Sequence, residues 1–402
     1  MQFISVFGRN QLLSLLETAS YLKAREASFS IKAFSNNAAI LEIESFNAKQ
    51  TIRELGGTIK IAEVKAEAGI KGNDFKELEE KISKIDFTAE FGKKFYYTIN
   101  DYSEKLNEEL LDFLAGYFKQ CFKSQKLKAM LKWPKQVEGE RKKSIAPKIL
   151  AKRLDKEHLD LCYFAKEGKV FFGKTIAVSN PAEFIERDTE RPVQKHELQT
   201  SPRLARILTN LAGVEKGKTI LDTFCGIGSI MQEIMLAGYN SLGIDANAEN
   251  ARDCEKNLEW LKKKYNLKQE FKVLNQDSRR LSSFLRTGEF QAVVTEPYLG
   301  PYLRKLPSIQ QAERTARELE QLYGAVFKEL AKLLQSGERV VFILPQVPTI
   351  QGRKVKVQES VFSNNGFKIF NTLDKELPNF LPYLYKDSES RIERLIYVLV
   401  KE

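Results

Sequence analysis

The sequence has little of what metal or disulfide chemistry requires. Its four cysteines (Cys121, Cys162, Cys225 and Cys254) are scattered without CxxC spacing, which argues against a disulfide framework or a zinc site. Two histidines, His158 and His196, are too few for a His-rich metal centre, so no metal is expected and neither is given a catalytic role. No apolar run approaches the roughly eighteen residues of a membrane span. The N-terminal MQFISVFGRNQLL lacks the basic region and small-residue cleavage site of a secretory signal, so it reads as a first strand and a cytoplasmic protein is expected. No internal repeat or low-complexity tract is present.

Positive charge, by contrast, is abundant. The 402 residues carry 64 Lys and Arg against 53 Asp and Glu, a net charge of +11, with a pI of about 9.2. That balance points to nucleic acid as a partner; the alternative is an ordinary soluble protein with a lysine-rich surface. The distribution favours the first, because residues 119–153 hold twelve basic side chains and only two acidic ones, Glu138 and Glu140. Lys135, Arg141, Lys142, Lys143, Lys148, Lys152 and Arg153 are candidate phosphate contacts, although a solvated helical face would also place such charges outward. Trp133, in the same stretch, is expected to anchor core.

The chain is long enough for two or three domains. Strands are expected over 2–7, 30–34, 39–43 and 58–64, with helices over 12–19 and 50–55, the latter stopped by Gly56 and Gly57. That β-α-β-β-α-β order is the ferredoxin-like one, assigned to residues 1–66. A second α+β domain follows over 67–178, with a helix over 104–124 carrying Leu106, Leu110, Leu114 and Phe118. Residues 179–200 have little regular pattern and read as a linker. From 201 the text is α/β: strands over 219–222, 241–244, 270–273, 292–294, 339–343, 368–370 and 395–400 alternate with helices, which implies a parallel sheet covered on both faces.

The α/β half is organised around KTILDTFCGIG at 218–228. Strand 219–222 ends on Asp222, and Gly226 and Gly228 turn the chain into a helix, letting backbone approach a ligand closely. The next strand ends on Asp245, the distance at which a Rossmann-like site holds ribose hydroxyls. Met231 stands near the place of a third fingerprint glycine, which argues against a nicotinamide cofactor. Asp277, with Ser278, follows the third strand and suits an exocyclic amine as an acceptor. Each Asp taken singly is as well explained as a helix N-cap; together they mark one sheet edge.

Directly after strand 292–294 comes Thr295-Glu296-Pro297-Tyr298. A DPFCGTG-like turn, an acidic end to the second strand and a (D/N)PPY motif after the fourth are the marks of amino-group methyltransferases. With TSPRLARILTNLAG at 200–213, RDTERP at 187–192 and LGGTIKIAEV at 55–64, the chain resembles the THUMP-domain tRNA guanine-N2 methyltransferases, which modify guanosine 10. The resemblance spans nearly the whole chain. It implies a ferredoxin-like domain at 1–66, a THUMP domain at 67–178 and a Rossmann-like class I methyltransferase domain at 201–402. It implies S-adenosylmethionine as cofactor, lined by Asp222, Cys225, Gly226 and Gly228, with Asp245 at the ribose and Asp277 and Ser278 at the adenine. The partner it implies is tRNA, gripped by the THUMP domain, and a small activator protein is compatible with it; a monomer is expected.

A flipped guanine would stack on Tyr298, in a catalytic loop of Thr295, Glu296, Pro297 and Tyr298. Here Thr295 and Glu296 replace the family's Asp/Asn and first Pro, and Glu296 is placed to supply charge from the neighbouring position. Arg304 and Lys305, with Arg314 and Arg317 beyond them, are candidate contacts to flanking phosphates. Two other readings remain open: a catalytically silent tRNA-binding protein of the same fold, and a methyltransferase acting on another nucleic-acid base.

Overall fold

The computed structural model of the chain describes residues 1–132, 147–154, 156–195, 200–386 and 390–402. Trp133, Lys135, Arg141, Lys142, Lys143 and His196 lie outside the described residues. The chain divides into two units, Met1–Thr18 with Glu26–Phe184 and Ala19–Arg25 with Ile185–Glu402.

The first unit begins with β1 (Gln2–Phe7), α1 (Gln11–Lys23), whose last turns fall to the second unit, β2 (Phe29–Phe34), β3 (Ala38–Ile43), α2 (Ala48–Glu54) and β4 (Thr58–Gly69). The strands run β2-β3-β1-β4, all antiparallel. Each βαβ pair thus encloses a strand of the other, which is the ferredoxin-like arrangement. Gly56 and Gly57 do more than end α2. Their amides donate to the buried Glu17 carboxylate at 2.7 and 2.8 Å, and a Cβ on Gly57 would sit 2.2 Å from Ser14 Oγ.

Next come α3 (Lys76–Ser83), β5 (Lys94–Asp101), α4 (Glu108–Ser124), β6 (Lys128–Leu131), α5 (Pro147–Arg153), β7 (His158–Lys166) and β8 (Lys169–Val178). They extend the same sheet as β4-β8-β7-β5-β6. The boundary expected at residue 66 therefore falls inside a strand. TIKIAEVKAEAG carries no breaker before Gly69, and it pairs with β8 from Lys60 through Gly69. Helix α4 starts later than expected because Asn107 caps it, accepting from the Leu110 amide at 2.9 Å. Leu110, Leu111, Leu114, Phe118 and Phe122 are its buried face. His158 is spent in this core against the Thr98 hydroxyl at 3.1 Å.

The second unit takes up α6 (Pro181–Thr189), which straddles the division, then α7 (Pro202–Leu211), β9 (Thr219–Asp222), α8 (Ser229–Leu236), β10 (Asn240–Asp245), α9 (Ala248–Tyr265) and β11 (Phe271–Asn275). A 3-10 turn (Ser278–Ser283), β12 (Ala292–Thr295), α10 (Ile309–Leu333), β13 (Arg339–Pro348), β14 (Lys354–Lys356), α11 (Ser360–Ser363), β15 (Phe367–Ile369), β16 (Tyr383–Tyr385) and β17 (Glu393–Lys401) complete it. The main sheet runs β11-β10-β9-β12-β13-β17-β15. The first five strands are parallel, and β17 is antiparallel to both neighbours. Leu242 and Ile244 pack with Tyr323, Phe327 and Leu330 of α10. On the opposite face Gly243 meets Met231 of α8. Both faces are therefore covered, as the unbroken apolar strands require.

The order reverses between β9 and β12, so the crevice of this Rossmann-like sheet lies at the C-terminal ends of those two strands. Asp222 and Thr295 are their last residues.

Candidate active site

The site grows from the turn after β9. Cys225 N–H donates to the Ile244 carbonyl at 2.9 Å, which ties the turn to β10. Gly226, at φ +52°, presents its amide to Asp245 Oδ2 at 2.9 Å. The other Asp245 oxygen accepts from the Asn247 amide at 2.8 Å. Gly228, at φ +89°, starts α8, and a Cβ there would come within 2.8 Å of Cys254 Sγ. Both glycines are thus demanded by backbone conformation, and the second by packing as well. Met231 fits near the fingerprint's third-glycine position because the strand gives way instead: a Cβ on Gly243 would lie 2.3 Å from Met231 Sδ.

Across the switch point stands the loop after β12. The fully buried Thr295 hydroxyl donates to Asp222 Oδ1 at 2.7 Å, and the Phe224 amide donates to the same oxygen at 3.1 Å. Burial pushes the Asp222 carboxyl up to about 7, against those two hydrogen bonds and with help from the charges of Asp245 and Glu296. Three carboxylates therefore converge within electrostatic reach at one sheet edge.

Glu296 is held at both oxygens. Arg394 Nε of β17 donates to Oε1 at 2.6 Å, and the Thr200 hydroxyl donates to Oε2 at 2.7 Å. Pro297 is buried, while Tyr298 is 56 % exposed. The Tyr298 carbonyl accepts from Tyr323 Oη of α10 at 2.5 Å, which fixes the backbone beneath its exposed ring. Beside this loop Leu299, Pro301, Leu303, Leu306, Val347 and Ile392 line a cavity of about 430 Å³ that Lys305 and Arg314 also border.

Three further residues expected at the cofactor have contacts of their own. The Cys225 thiol is buried against Met231, Met235, Cys254 and Leu258, where contact with Cys254 and burial raise its pKa, and it donates to the Gly226 carbonyl at 4.0 Å. Ser278 is also buried and donates to the Thr223 carbonyl at 2.5 Å, acting as a strut under the turn. Asp277 caps the 3-10 turn and forms an ion pair with Arg279 at 2.5 Å. That pairing holds its carboxyl below the usual range.

Arg304, Lys305, Arg314 and Arg317 are exposed, and Arg314 pairs with Glu318 at 3.2 Å. In the first unit Lys152 and Arg153 are exposed on α5, and Lys148 belongs to the same helix.

Residues 179–195 are far from featureless. Glu233 of α8 is almost wholly buried and is clamped by Arg187 Nε at 2.6 Å and Arg206 Nη2 at 2.7 Å. Arg191 Nη1 donates to Ser229 Oγ at 2.9 Å. Asn257 Nδ2 donates to the carbonyls of Ile227, at 2.9 Å, and Val193, at 3.1 Å, stitching the segment to the glycine turn. The charge clusters of 186–191 resemble a solvated surface in sequence, and only an acid on a distant apolar helix, Glu233, signals that Arg187 turns inward.

A parallel sheet with a glycine turn after its first strand, an acidic end to the second, and an antiparallel penultimate strand in the order above is the Rossmann-like methyltransferase fold. Residues 190–359 match the family described as UPF0020: RMKL-like, methyltransferase domain. The tRNA (guanine(10)-N2)-dimethyltransferase of Methanothermobacter thermautotrophicus is 38 % identical over 101 residues, covering 25 % of this chain and 27 % of that protein. The enzyme of the same name from Methanocaldococcus jannaschii is 31 % identical over 160 residues, covering 37 % and 44 %. The matches thus span less than half the length of these curated relatives. The crystal structure of TrmN from Thermus thermophilus superposes over 100 % of both chains with a TM-score of 0.54 at 13 % identity, a likeness of fold.

Proposed function

We propose that the protein transfers a methyl group from S-adenosylmethionine to the exocyclic N2 amine of a guanosine in tRNA, guanosine 10 being the position in its relatives' names. The observation that carries this reading is the hydrogen bond between Asp222 and Thr295. It brings the glycine turn and the aromatic loop face to face at the switch point, where such sheets bind ligands.

The residues fit the cofactor. Gly226 and Gly228 add no side chain of their own to the turn, as an adenosyl group against backbone needs, and Asp245 Oδ2 keeps a lone pair for a ribose hydroxyl. S-adenosylmethionine supplies an electrophilic methyl group. The protein's part is then to hold a flipped guanine against the exposed Tyr298 ring and orient its amine. Arg304 and Lys305 meet flanking phosphates, and residues 67–178 grip the tRNA as a THUMP domain, with Lys152 and Arg153 among the contacts. A monomer acting in the cytoplasm, alone or with a small activator protein, completes the reading.

One observation favours a silent tRNA-binding protein instead: the hydroxyl at the family's acceptor position is buried and already engaged. Incubating the protein with labelled S-adenosylmethionine and unmodified tRNA transcripts, followed by nucleoside analysis, separates the two. N2-methylguanosine or its dimethyl form is the expected product. Binding of tRNA and S-adenosylhomocysteine without transfer would establish the silent protein.

A further inference from the structure

Thr295 cannot serve as the acceptor for a substrate amine. It has no exposed surface, and its hydroxyl proton is committed to Asp222. The first side chain beyond it on the loop is a carboxylate, and its setting differs from that of a surface glutamate. Glu296 comes from the end of β12, Thr200 from the segment entering α7, and Arg394 from β17, so three separate parts of the second unit converge on one carboxyl group. The Glu296 side chain is 10 % exposed and that of Arg394 13 %. Arg394 bonds one oxygen and Thr200 the other, which leaves a lone pair on each for a further donor.

Thr200 is itself fixed. Helix α7, which begins two residues later, is anchored through the ion pair of Arg206 with buried Glu233, and Ser201 caps it by accepting from the Leu204 amide. The carboxylate also lies near enough to Asp222 to act on its ionisation. That places it at the switch-point edge of the sheet.

From this geometry, and resting on the function proposed above, we infer that Glu296 is the catalytic proton acceptor for the target amine and that Thr200 and Arg394 are its positioning residues. The amine nitrogen attacks the methyl carbon and forms the new N–C bond, while the electron pair of the breaking C–S bond stays on sulfur. The proton lost from nitrogen passes to a Glu296 oxygen and then to water. A carboxylate held by a hydroxyl and a guanidinium reaches this step without reorganising, which is where its rate advantage lies.

The test is single-turnover methyl transfer by Glu296→Gln, which keeps the size of the side chain and its capacity to bond Arg394 and Thr200. The rate is expected to fall by about 10²–10³-fold, with affinities for S-adenosylhomocysteine and tRNA unchanged, while loss of the ion pair with Arg394 lowers the melting temperature. Thr200→Val should lower kcat by about tenfold with KM for tRNA unchanged, and Thr200→Ser should restore it. The double variant of Glu296→Gln with Thr200→Val should be no slower than Glu296→Gln alone, since Thr200 acts through the glutamate.

A Glu296→Gln rate within threefold of the wild type would overturn the inference and leave the proposed function standing. So would a slow variant that had also lost affinity for S-adenosylhomocysteine, because Glu296 would then be a structural clamp of the cofactor site. If the wild type itself transferred no methyl group, the functional reading and this inference would fall together.

Discussion

The turn after β9 and the loop after β12 face each other across the same crevice, yet they follow different rules. The turn is specified by backbone geometry. Its glycines are required by positive φ and by the closeness of Cys254, and its polar contacts are mostly amides bonded to Asp245 and Asp222. The loop is specified by side chains: Thr295 on Asp222, Glu296 between Thr200 and Arg394, and the Tyr298 ring in solvent. A site governed by backbone conformation tolerates few substitutions. One governed by a side-chain network can change residues if their partners change as well, which is how this chain accommodates Thr-Glu where the motif it resembles has Asp or Asn and Pro.

The sharpest way to break the comparison is to transplant the family residue. Thr295→Asp would set a second buried carboxyl against Asp222, which has no ion pair among the described residues to offset it. A loss of folding stability on the order of 3–5 kcal/mol is expected by denaturant titration. A stable and active Thr295→Asp protein would show that the loop is not governed by its partners.

Next in size is the turn. Asp245→Ala removes the acceptor of the Gly226 amide and the proposed ribose contact, so affinity for S-adenosylhomocysteine should fall on the order of a hundredfold. Affinity for tRNA should be unchanged, and calorimetry with each ligand checks both.

Asp222 joins the two regions, and its carboxyl is predicted to make stability depend on pH. With its folded-state pKa raised to about 7, it keeps a proton that the unfolded chain releases near pH 4. Its contribution to stability therefore falls as pH rises from about 4 to 7 and is lost above that. Asp222→Asn keeps an acceptor for Thr295 and Phe224 without the charge. Relative to the wild type it should gain on the order of 2 kcal/mol between pH 5 and pH 8; parallel stability profiles would contradict the raised pKa. The smallest effect is expected outside both regions. Replacing Arg304 and Lys305 by Ala should weaken tRNA binding several-fold and lower the slope of its salt dependence by about one unit for each phosphate no longer neutralised.

Most of the fold was legible in the sequence because the signals are local. Apolar strands bounded by glycine gave β9 to β13 within a few residues, and the order of the first six elements gave the ferredoxin-like start. The boundary at residue 66 was misplaced because strand pairing is not local: nothing in TIKIAEVKAEAG says that its second half pairs with a strand a hundred residues later. Spacing alone puts Asp222, Asp245 and the two glycines at one sheet edge, at the ends of β9 and β10. Spacing cannot reveal that the Cys225 and Ser278 side chains are buried or that Asp277 pairs with Arg279. Thr200, Arg394 and the Arg187–Glu233–Arg206 cluster escaped notice because their partners lie between 27 and 98 residues away.

The most direct measurement is methyl transfer to two tRNA transcripts that differ in one group: the natural sequence, and one with inosine in place of guanosine 10, which lacks only the N2 amine. Transfer to the first and none to the second is the predicted result. Equal transfer to both would place the methyl group elsewhere and contradict the proposed substrate.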